Sequence, residues 1–165
     1  MDYYFENLNP DHLEPVIDIF NYYIRNTFAA YREQAVESEH FRKFIDPSEV
    51  HCGFAVKTLS DKIVGFCLLE PYASYASTFS ETAEVMYFIH PDYTGKGIGT
   101  LALHKLEDEA KKRGIIHLLA DISSENSESI KFHEKNGFTE YGRLRNIGKK
   151  FDKYFSVVYM GKDLI

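Results

Sequence analysis

The sequence predicts one domain of mixed α/β class, with a hairpin-like first half and one parallel crossover in the second half. The chain has 165 residues, 44% of them hydrophobic, which suits a single packed core. Its apolar segments follow the order β-α-α-β-β-β-α-β-α-β-β. A glycine-spaced turn between Gly95 and Gly99 joins a strand to a helix, as a crossover requires.

The first half begins with a helix start that is easy to recognise. Asn9 is an N-cap candidate, and Pro10 suits the first helical position. Apolar side chains then recur at helical spacing up to about Asn26. The predicted elements of this half are a strand at 3–5, a helix from 9 to 26, a short helix at 38–45, and a strand pair at 54–56 and 63–69 that forms a hairpin.

In the second half, two helices end at glycines, Gly114 and Gly137, which favour the left-handed conformation of a helix C-terminus. The predicted elements are a strand at 82–90, a helix at 97–113, a buried strand at 115–122, a helix at 126–136, and strands at 141–147 and 155–160. Three acid-before-base pairs are expected on the exposed side of the first helix: Glu107–Lys111, Asp108–Lys112 and Glu109–Arg113.

Composition and charge exclude several classes of function. The net charge of −6, with both signs interspersed, argues against a nucleic-acid binder. No apolar run approaches the ~20 residues of a membrane helix, and the N-terminus lacks the features of a signal peptide. Cys52 and Cys67 are interpreted as small buried hydrophobes of a cytoplasmic protein. No Cys/His cluster indicates a metal.

The most informative segment runs from 84 to 99 and reads E-V-M-Y-F-I-H-P-D-Y-T-G-K-G-I-G. An apolar strand here leads into a glycine-spaced loop that opens a helix. The N-terminus of a helix presents unpaired N–H groups and the positive end of its dipole, and glycines let a phosphate approach them. The segment therefore predicts a site for a phosphorylated ligand, with the carboxylate of Glu84 in the same strand.

A dinucleotide-binding site is the main alternative for this loop. Asp121 ends the next strand, about where a ribose-binding acid belongs. However, position 100 is Thr where that fingerprint has Gly, and residues 122–165 hold too few elements for a doubly wound sheet. A P-loop is excluded because Lys96 is followed by Gly97 and not by Ser or Thr.

Taken together, these segments resemble the GNAT superfamily of N-acetyltransferases. Its signature Q/R-x-x-G-x-G/A corresponds to 94–99, with Thr94 in place of Gln or Arg. A second signature, an asparagine before the next helix followed by x-x-x-G-F, corresponds to Asn126 and to 133–138. The phosphinothricin acetyltransferase-like branch shares the E-x-x-Y/V-x-V-H-P-D run, the S-x-x-N-x-x-S-I/L-x-x-H-E helix and the G-x-K-F segment, here near 148–151.

The resemblance implies a mostly antiparallel central sheet flanked by helices, with one parallel βαβ crossover that carries the coenzyme A site. It also implies acetyl-CoA as donor, a small-molecule amine as acceptor, a homodimer, and no nucleic-acid or membrane partner. The residues that it assigns to acetyl-CoA are Tyr87, Phe88 and Ile89 in the strand, Thr94, Gly95, Lys96, Gly97, Ile98, Gly99 and Thr100 in the loop, and Asn126.

The catalytic candidates are Glu84 and His133. Acetyl transfer needs a neutral amine, so a carboxylate in the cleft can act as the general base. Strand alternation places Glu84 on the same face as Met86 and Phe88. A strand amide at Tyr87 or Phe88 would stabilise the oxyanion. His133 would protonate or position the sulfur, or simply pack near Phe138.

The resemblance places the acceptor after the first helix and before Glu84, at Phe28, Tyr31, Phe79 and Thr82. Residues 71–83 contain no Arg or Lys, which weakens the case for a free carboxylate on the acceptor. Arg32 or Lys150 could supply the missing cation. Two further hypotheses stay open: a non-catalytic acyl-CoA-binding or regulatory protein on the same scaffold, and a nicotinamide-dependent oxidoreductase.

Overall fold

One seven-stranded sheet organises residues 2–165, the part of the chain that this computed structural model describes. The strand order is β1-β2-β3-β4-β5-β7-β6, and every neighbouring pair is antiparallel except β4 with β5. The strands are β1 Tyr3–Asn7, β2 Cys52–Thr58, β3 Ile63–Pro71, β4 Thr82–Ile89, β5 His117–Ser123, β6 Thr139–Lys150 and β7 Lys153–Asp163.

Helices cover both faces of the sheet. The helices are α1 Leu13–Asn26, α2 Arg42–Ile45, α3 Ile98–Lys112 and α4 Ser127–Lys135. Apolar side chains of α1 and α2 pack with Phe66 and Leu68 of β3 on one face. Side chains of α3 and α4 pack with Leu118 and Ile122 of β5 on the other. The predicted element order, the mixed sheet and the single parallel crossover are therefore confirmed.

The terminal hairpin is longer than the sequence predicts. The strands expected at 141–147 and 155–160 extend to Lys150 and Lys153, which pair directly with each other. Phe151 and Asp152 both have positive φ, 51° and 57°, and so form a two-residue turn of the kind that closes tight hairpins. Neither residue is a glycine, so the sequence gives little sign of this turn.

The expectation of three exposed acid–base pairs on α3 is wrong for two of them. Only Glu109 and Arg113 pair as expected, with 2.6 Å between the guanidinium and the carboxylate. Glu107 is buried and accepts from Lys162 Nζ of β7 at 2.6 Å. Lys112 forms its ion pair with Glu109 and not with Asp108. Glu107 and Glu109 lie on opposite margins of the buried stripe of α3 that Leu106 and Ala110 form, so helical spacing alone misplaces these residues.

The feature of the sheet that matters most for function is a split between β4 and β5. The two strands pair only from Thr82 to Glu84 on β4 and from His117 to Leu119 on β5. Beyond Glu84, β4 keeps its pairing with β3 and β5 keeps its pairing with β7. The facing edges of β4 and β5 therefore separate and enclose a cleft.

A buried lysine fixes the loop that follows α1. Lys150 is only 1% exposed, and its Nζ donates to the carbonyl oxygens of Thr27 and Ala30 at 2.7 and 2.6 Å. Burial lowers the pKa of this ammonium. Phe28 in the same loop packs edge-on against Phe155 of β7. The loop is thus attached to the terminal hairpin.

We expect Lys150→Met to lower the free energy of unfolding by about 2–3 kcal/mol, because two buried carbonyl groups lose a charged donor. Lys149→Met is the matched control: Lys149 is half exposed and its nearest carboxylate, Asp152, lies 3.6 Å away, so its loss should cost less than about 0.5 kcal/mol. Urea denaturation of both variants measures the difference. Equal stability of the two would show that the Lys150 contacts do not hold the loop.

Candidate active site

The split between β4 and β5 opens into a cleft of about 710 Å³. Its walls are β4, β5, the N-terminal ends of α3 and α4, and the loop after α1. Glu84 lies where the two strands part. The cleft therefore joins a helix N-terminus at one end to a carboxylate at the fork of the sheet.

Alternate residues of β4 present their backbone to the cleft. Tyr72 N donates to Thr82 O, and His90 N donates to Val64 O, so the even-numbered residues of β4 pair with β3. The N–H and C=O groups of Val85, Tyr87 and Ile89 consequently face the cleft. The amide of Phe88 faces β3, and only the ring of Phe88 is left to line the cleft.

The α1 helix closes one end of this strand edge. The hydroxyl of Tyr23 donates to the carbonyl oxygen of Ile89. Burial raises the pKa of Tyr23 to about 12, which keeps the hydroxyl protonated as a donor. Of the three odd-numbered residues, Val85 and Tyr87 therefore keep their backbone groups available to a ligand.

The glycine loop has the backbone geometry expected of an anion site. Gly95 and Gly97 have φ of +73° and +80°, and Gly97 is the N-cap of α3. The first hydrogen bond of the helix is donated by Leu101 N to the carbonyl oxygen of Gly97. Within residues 2–165, no amide N–H from 95 to 100 donates to a protein atom. Six backbone donors are thus free for a phosphate.

Two lysines lie beside this end of the cleft, although neither is among its lining residues. Lys96 Nζ lies 4.6 Å from the ring centroid of Tyr93, and Lys62 Nζ lies 5.0 Å from it. Tyr93 itself lines the cleft. An anion can therefore be held locally although the whole chain carries a charge of −6.

Asn126 is positioned by the helix that it caps. Its Oδ1 accepts from Ser129 N at 3.3 Å at the start of α4. This bond leaves the Nδ2 group free on the cleft wall. Asn126 can therefore donate to a ligand without giving up its structural role.

The hydrogen bonds of His133 assign its tautomer. The ring is 3% exposed, and its Nδ1 lies 2.7 Å from the carbonyl oxygen of Ser129, which can only accept. Nδ1 therefore carries the proton, and Nε2 accepts from the hydroxyl of Tyr87. Burial lowers the pKa of His133, so the neutral ring is favoured. Both ring nitrogens of His133, which also lines the cleft, are therefore hydrogen-bonded.

Glu84 has the environment of a base. It is half-buried on the α1 face of β4, as strand alternation predicts. Burial, and then the charge of Asp121, raise the pKa of its carboxyl group. Directly opposite on β3 lies Glu70, whose pKa is raised to about 7 by burial and by the charge of Glu84. A carboxylate with a raised pKa accepts a proton more readily near neutral pH.

The acetyltransferase (GNAT) family model matches residues 16–138, which is most of the chain. The chain belongs to this family. Both the family and the acetyltransferase activity predicted from the sequence are thereby confirmed. An oxidoreductase is not favoured.

This chain aligns with curated relatives over most of their length and most of its own. The L-methionine sulfoximine/L-methionine sulfone acetyltransferase of Salmonella typhimurium is 26% identical over 147 residues, 88% of this chain and 85% of that protein. The phosphinothricin N-acetyltransferase of Streptomyces coelicolor is 25% identical over 156 residues, 92% and 91% of the two chains. These are relatives in the branch that the sequence resembles.

The fold agrees with a solved family structure. The structure of yncA from Salmonella typhimurium, determined with its cofactor acetyl-CoA, superposes with a TM-score of 0.90 at 22% identity. The superposition covers 100% of this chain and 95% of that one. The mostly antiparallel GNAT sheet expected from the resemblance is therefore confirmed.

The predicted acceptor residues of this GNAT chain are only partly brought together. Tyr31 lines the cleft. Phe28 instead packs between Phe151 and Phe155, and Phe79 packs edge-on against Tyr72. Thr82 pairs with His117 below the fork of the sheet. Phe28 thus supports the loop that carries Tyr31.

Glu70, Val85 and Tyr23 are among the cleft residues that were not sequence candidates. Glu70 could have been found only from the register of β3 against β4. That register is hidden because residues 72–81 connect the two strands without a tight turn. Val85 could have been found by applying strand alternation to the backbone as well as to the side chains.

Proposed function

We propose that this acetyltransferase transfers the acetyl group of acetyl-CoA to the amine of a small molecule, of the size of an amino acid or its analogue. The amine attacks directly in a ternary complex. The names of the relatives support an acceptor of this size. The observation that carries the proposal is the position of Glu84 at the fork of the split sheet, in one cleft with the free amides at 95–100.

The residues of the cleft fit acetyl-CoA along its length. The six free amides from Gly95 to Thr100, with Lys96, suit its phosphates. The backbone groups of Val85, the carbonyl oxygen of Tyr87 and the Nδ2 of Asn126 suit the amides of its pantetheine arm. When bound, acetyl-CoA supplies an activated acetyl thioester. No metal is needed for this chemistry, since a thioester is already activated.

Glu84 acts as the general base. A lysine-like amine loses its proton at a cost of about 4–5 kcal/mol at pH 7, and an α-amino group at about 1 kcal/mol. Glu84 takes that proton, helped by the burial that raises its pKa. Its position at the fork places it beside the edge from which the Tyr87 amide points into the cleft. That amide donates to the carbonyl oxygen as negative charge develops on it.

Tyr87 serves the departing thiolate. Its hydroxyl lies within a cleft wall and is held by His133, which in turn is held by Ser129. Burial raises the pKa of Tyr87, so the phenol stays protonated and remains a donor. The single hydroxyl proton is donated to Nε2 of His133 in the absence of a ligand, and it turns to the sulfur when the thiolate departs. His133 is thus a positioning residue for Tyr87.

We further propose that the protein is a cytoplasmic homodimer, formed along β6. This edge strand exposes nearly all of its residues, among them Tyr141, Leu144 and Ile147. An exposed apolar edge strand is a surface that a second chain can cover. Cys52 and Cys67 are free thiols, which supports a reducing compartment. Separately, no helix among residues 2–165 has the length and apolarity to cross a membrane.

We expect Glu84→Gln to lower kcat by about 100-fold or more, because the amine loses its proton acceptor. The dissociation constant of acetyl-CoA should change less than threefold, since Glu84 does not touch the glycine loop. Thiol release from acetyl-CoA measures turnover, and calorimetry measures binding. Glu81→Gln, at an exposed position three residues earlier, is the control. Wild-type turnover equal to that of Glu84→Gln would contradict the assignment of Glu84 as the base.

Tyr87→Phe should lower kcat by about 10- to 100-fold, because one hydrogen bond to the leaving sulfur is lost. Acetyl-CoA affinity should stay within threefold of wild type. Tyr93→Phe keeps the ring between Lys62 and Lys96 and should leave kcat unchanged. If Tyr87→Phe turns over like the wild type, another group serves the thiolate.

The dimer is tested by sedimentation velocity. The wild type should sediment as a dimer, and the double variant Leu144→Glu, Ile147→Glu as a monomer, since two buried charges would disrupt the shared face. Leu59→Glu, in the exposed β2–β3 turn, is the control and should remain a dimer. A monomeric wild type at micromolar concentration would contradict the proposal.

A further inference from the structure

Polar side chains cross the α1 face of the sheet in one row at the acceptor end of the cleft. Glu70 on β3 is directly paired with Glu84 on β4. On the other side of the fork, Asp121 on β5 is paired with Tyr159 on β7. Glu70, Glu84 and Asp121 all line the cleft. Three carboxyl groups from three strands therefore face the space that the acceptor must enter.

The charges around Glu70 and Glu84 are uncompensated. The charges that raise the pKa of Glu70 belong to Glu84, Asp121 and Glu49, and the charge that raises the pKa of Glu84 belongs to Asp121. All of these groups are carboxylates. A cation placed among them relieves this repulsion, whereas a carboxylate placed there adds to it.

Of the two cations that the sequence offered for an acceptor carboxylate, one is committed elsewhere. Lys150 is buried against the carbonyl groups of Thr27 and Ala30. Arg32 lines the cleft and, among the described residues, is the one lysine or arginine in that lining, against the three carboxyl groups. Residues 72–81 hold no lysine or arginine.

Aromatic rings complete the surroundings of the carboxylates. Tyr31 stacks on Phe155 and is close enough to Asp121 for that carboxylate to raise its pKa, in addition to burial. The pKa of Tyr159 is also raised, first by burial and then by Asp121, Glu84 and Tyr72. Carboxylates combined with tyrosine rings are the side chains that bind an alkylammonium group, through charge and through the ring faces.

We propose that Glu70 is a specificity-determining residue that binds a second ammonium group of the acceptor, so that the enzyme acetylates small diamines in preference to free amino acids. The inference rests on the proposed function and narrows its acceptor. Side chains paired across antiparallel strands have Cβ atoms about 4.5–5.5 Å apart, so Glu84 and Glu70 can each meet one end of a four-carbon diamine.

The reaction balances with these roles. The amine nitrogen forms a bond to the acetyl carbon, and the bond between that carbon and sulfur breaks. The reacting ammonium gives its first proton to Glu84 and so becomes a neutral amine before it attacks. As the carbon–sulfur bond breaks, the nitrogen loses a second proton, which goes to the departing thiolate, so that the products are the amide and the thiol of coenzyme A. The second ammonium keeps its proton and its charge beside Glu70 throughout. Glu70 therefore contributes to KM more than to kcat.

The experiment compares three acceptors that differ by one group each: 1,4-diaminobutane, butylamine, which lacks the second amine, and ornithine, which adds a carboxylate. Thiol release from acetyl-CoA gives kcat and KM for each. For the wild type we expect kcat/KM for the diamine to exceed that for butylamine and for ornithine by at least tenfold. Because this comparison uses the wild type, it does not depend on how a variant folds.

The variant Glu70→Gln then assigns the preference to its residue. It should raise KM for 1,4-diaminobutane about tenfold, leave kcat within threefold, and bring the diamine within about threefold of butylamine. Glu81→Gln is the control and should keep the wild-type preference. A wild type that prefers ornithine, or a diamine preference that survives Glu70→Gln, overturns the inference alone. Absence of thiol release with every amine overturns the proposed function and the inference together.

Discussion

The separation of β4 from β5 just after Glu84 is the constraint on which the active site depends. Continuous pairing would use the backbone groups of Val85 and Tyr87 in the ladder and would leave no cleft. Because the strands part, those groups become available, and the carboxylate at the fork lies at the bottom of a cavity. The packing of α1 and α2 on one face and α3 and α4 on the other holds the two halves of the sheet in place.

The cleft separates two kinds of charge recognition. At the α3 end, backbone N–H groups and two lysines attract an anion in a chain whose net charge is −6. At the β3 end, carboxyl groups and tyrosines provide a negative, partly buried surface. In the proposed function, main-chain dipoles hold most of the donor, and any sequence with the right glycines supplies them. The acceptor meets side chains, so its identity depends on particular residues such as Glu70.

Local patterns in the sequence predict most of the fold and the donor half of the site. Hydrophobic periodicity and the stop signals at Gly114 and Gly137 place the elements, and the glycine spacing at 95–99 places the anion site. Long-range register is what sequence patterns do not contain. The Glu70–Glu84 pairing, the burial of Glu107 against Lys162 and the use of Lys150 under the α1 loop each join residues far apart in the chain. Those contacts shape the acceptor half, which is why its predicted residues were only partly brought together.

The most direct test of the central claim is a titration of the ¹⁵N-labelled protein with acetyl-CoA, followed through its backbone amide resonances. The account predicts large shifts at Val85 and Tyr87 and from Gly95 to Thr100. The Phe88 amide should shift less than these, and NAD should shift none of these amides. Shifts confined to the second cavity, near Glu6, Lys57 and His90, would contradict it. So would a response of the glycine loop without any response of the free edge of β4, because the split of the sheet would then not hold the donor.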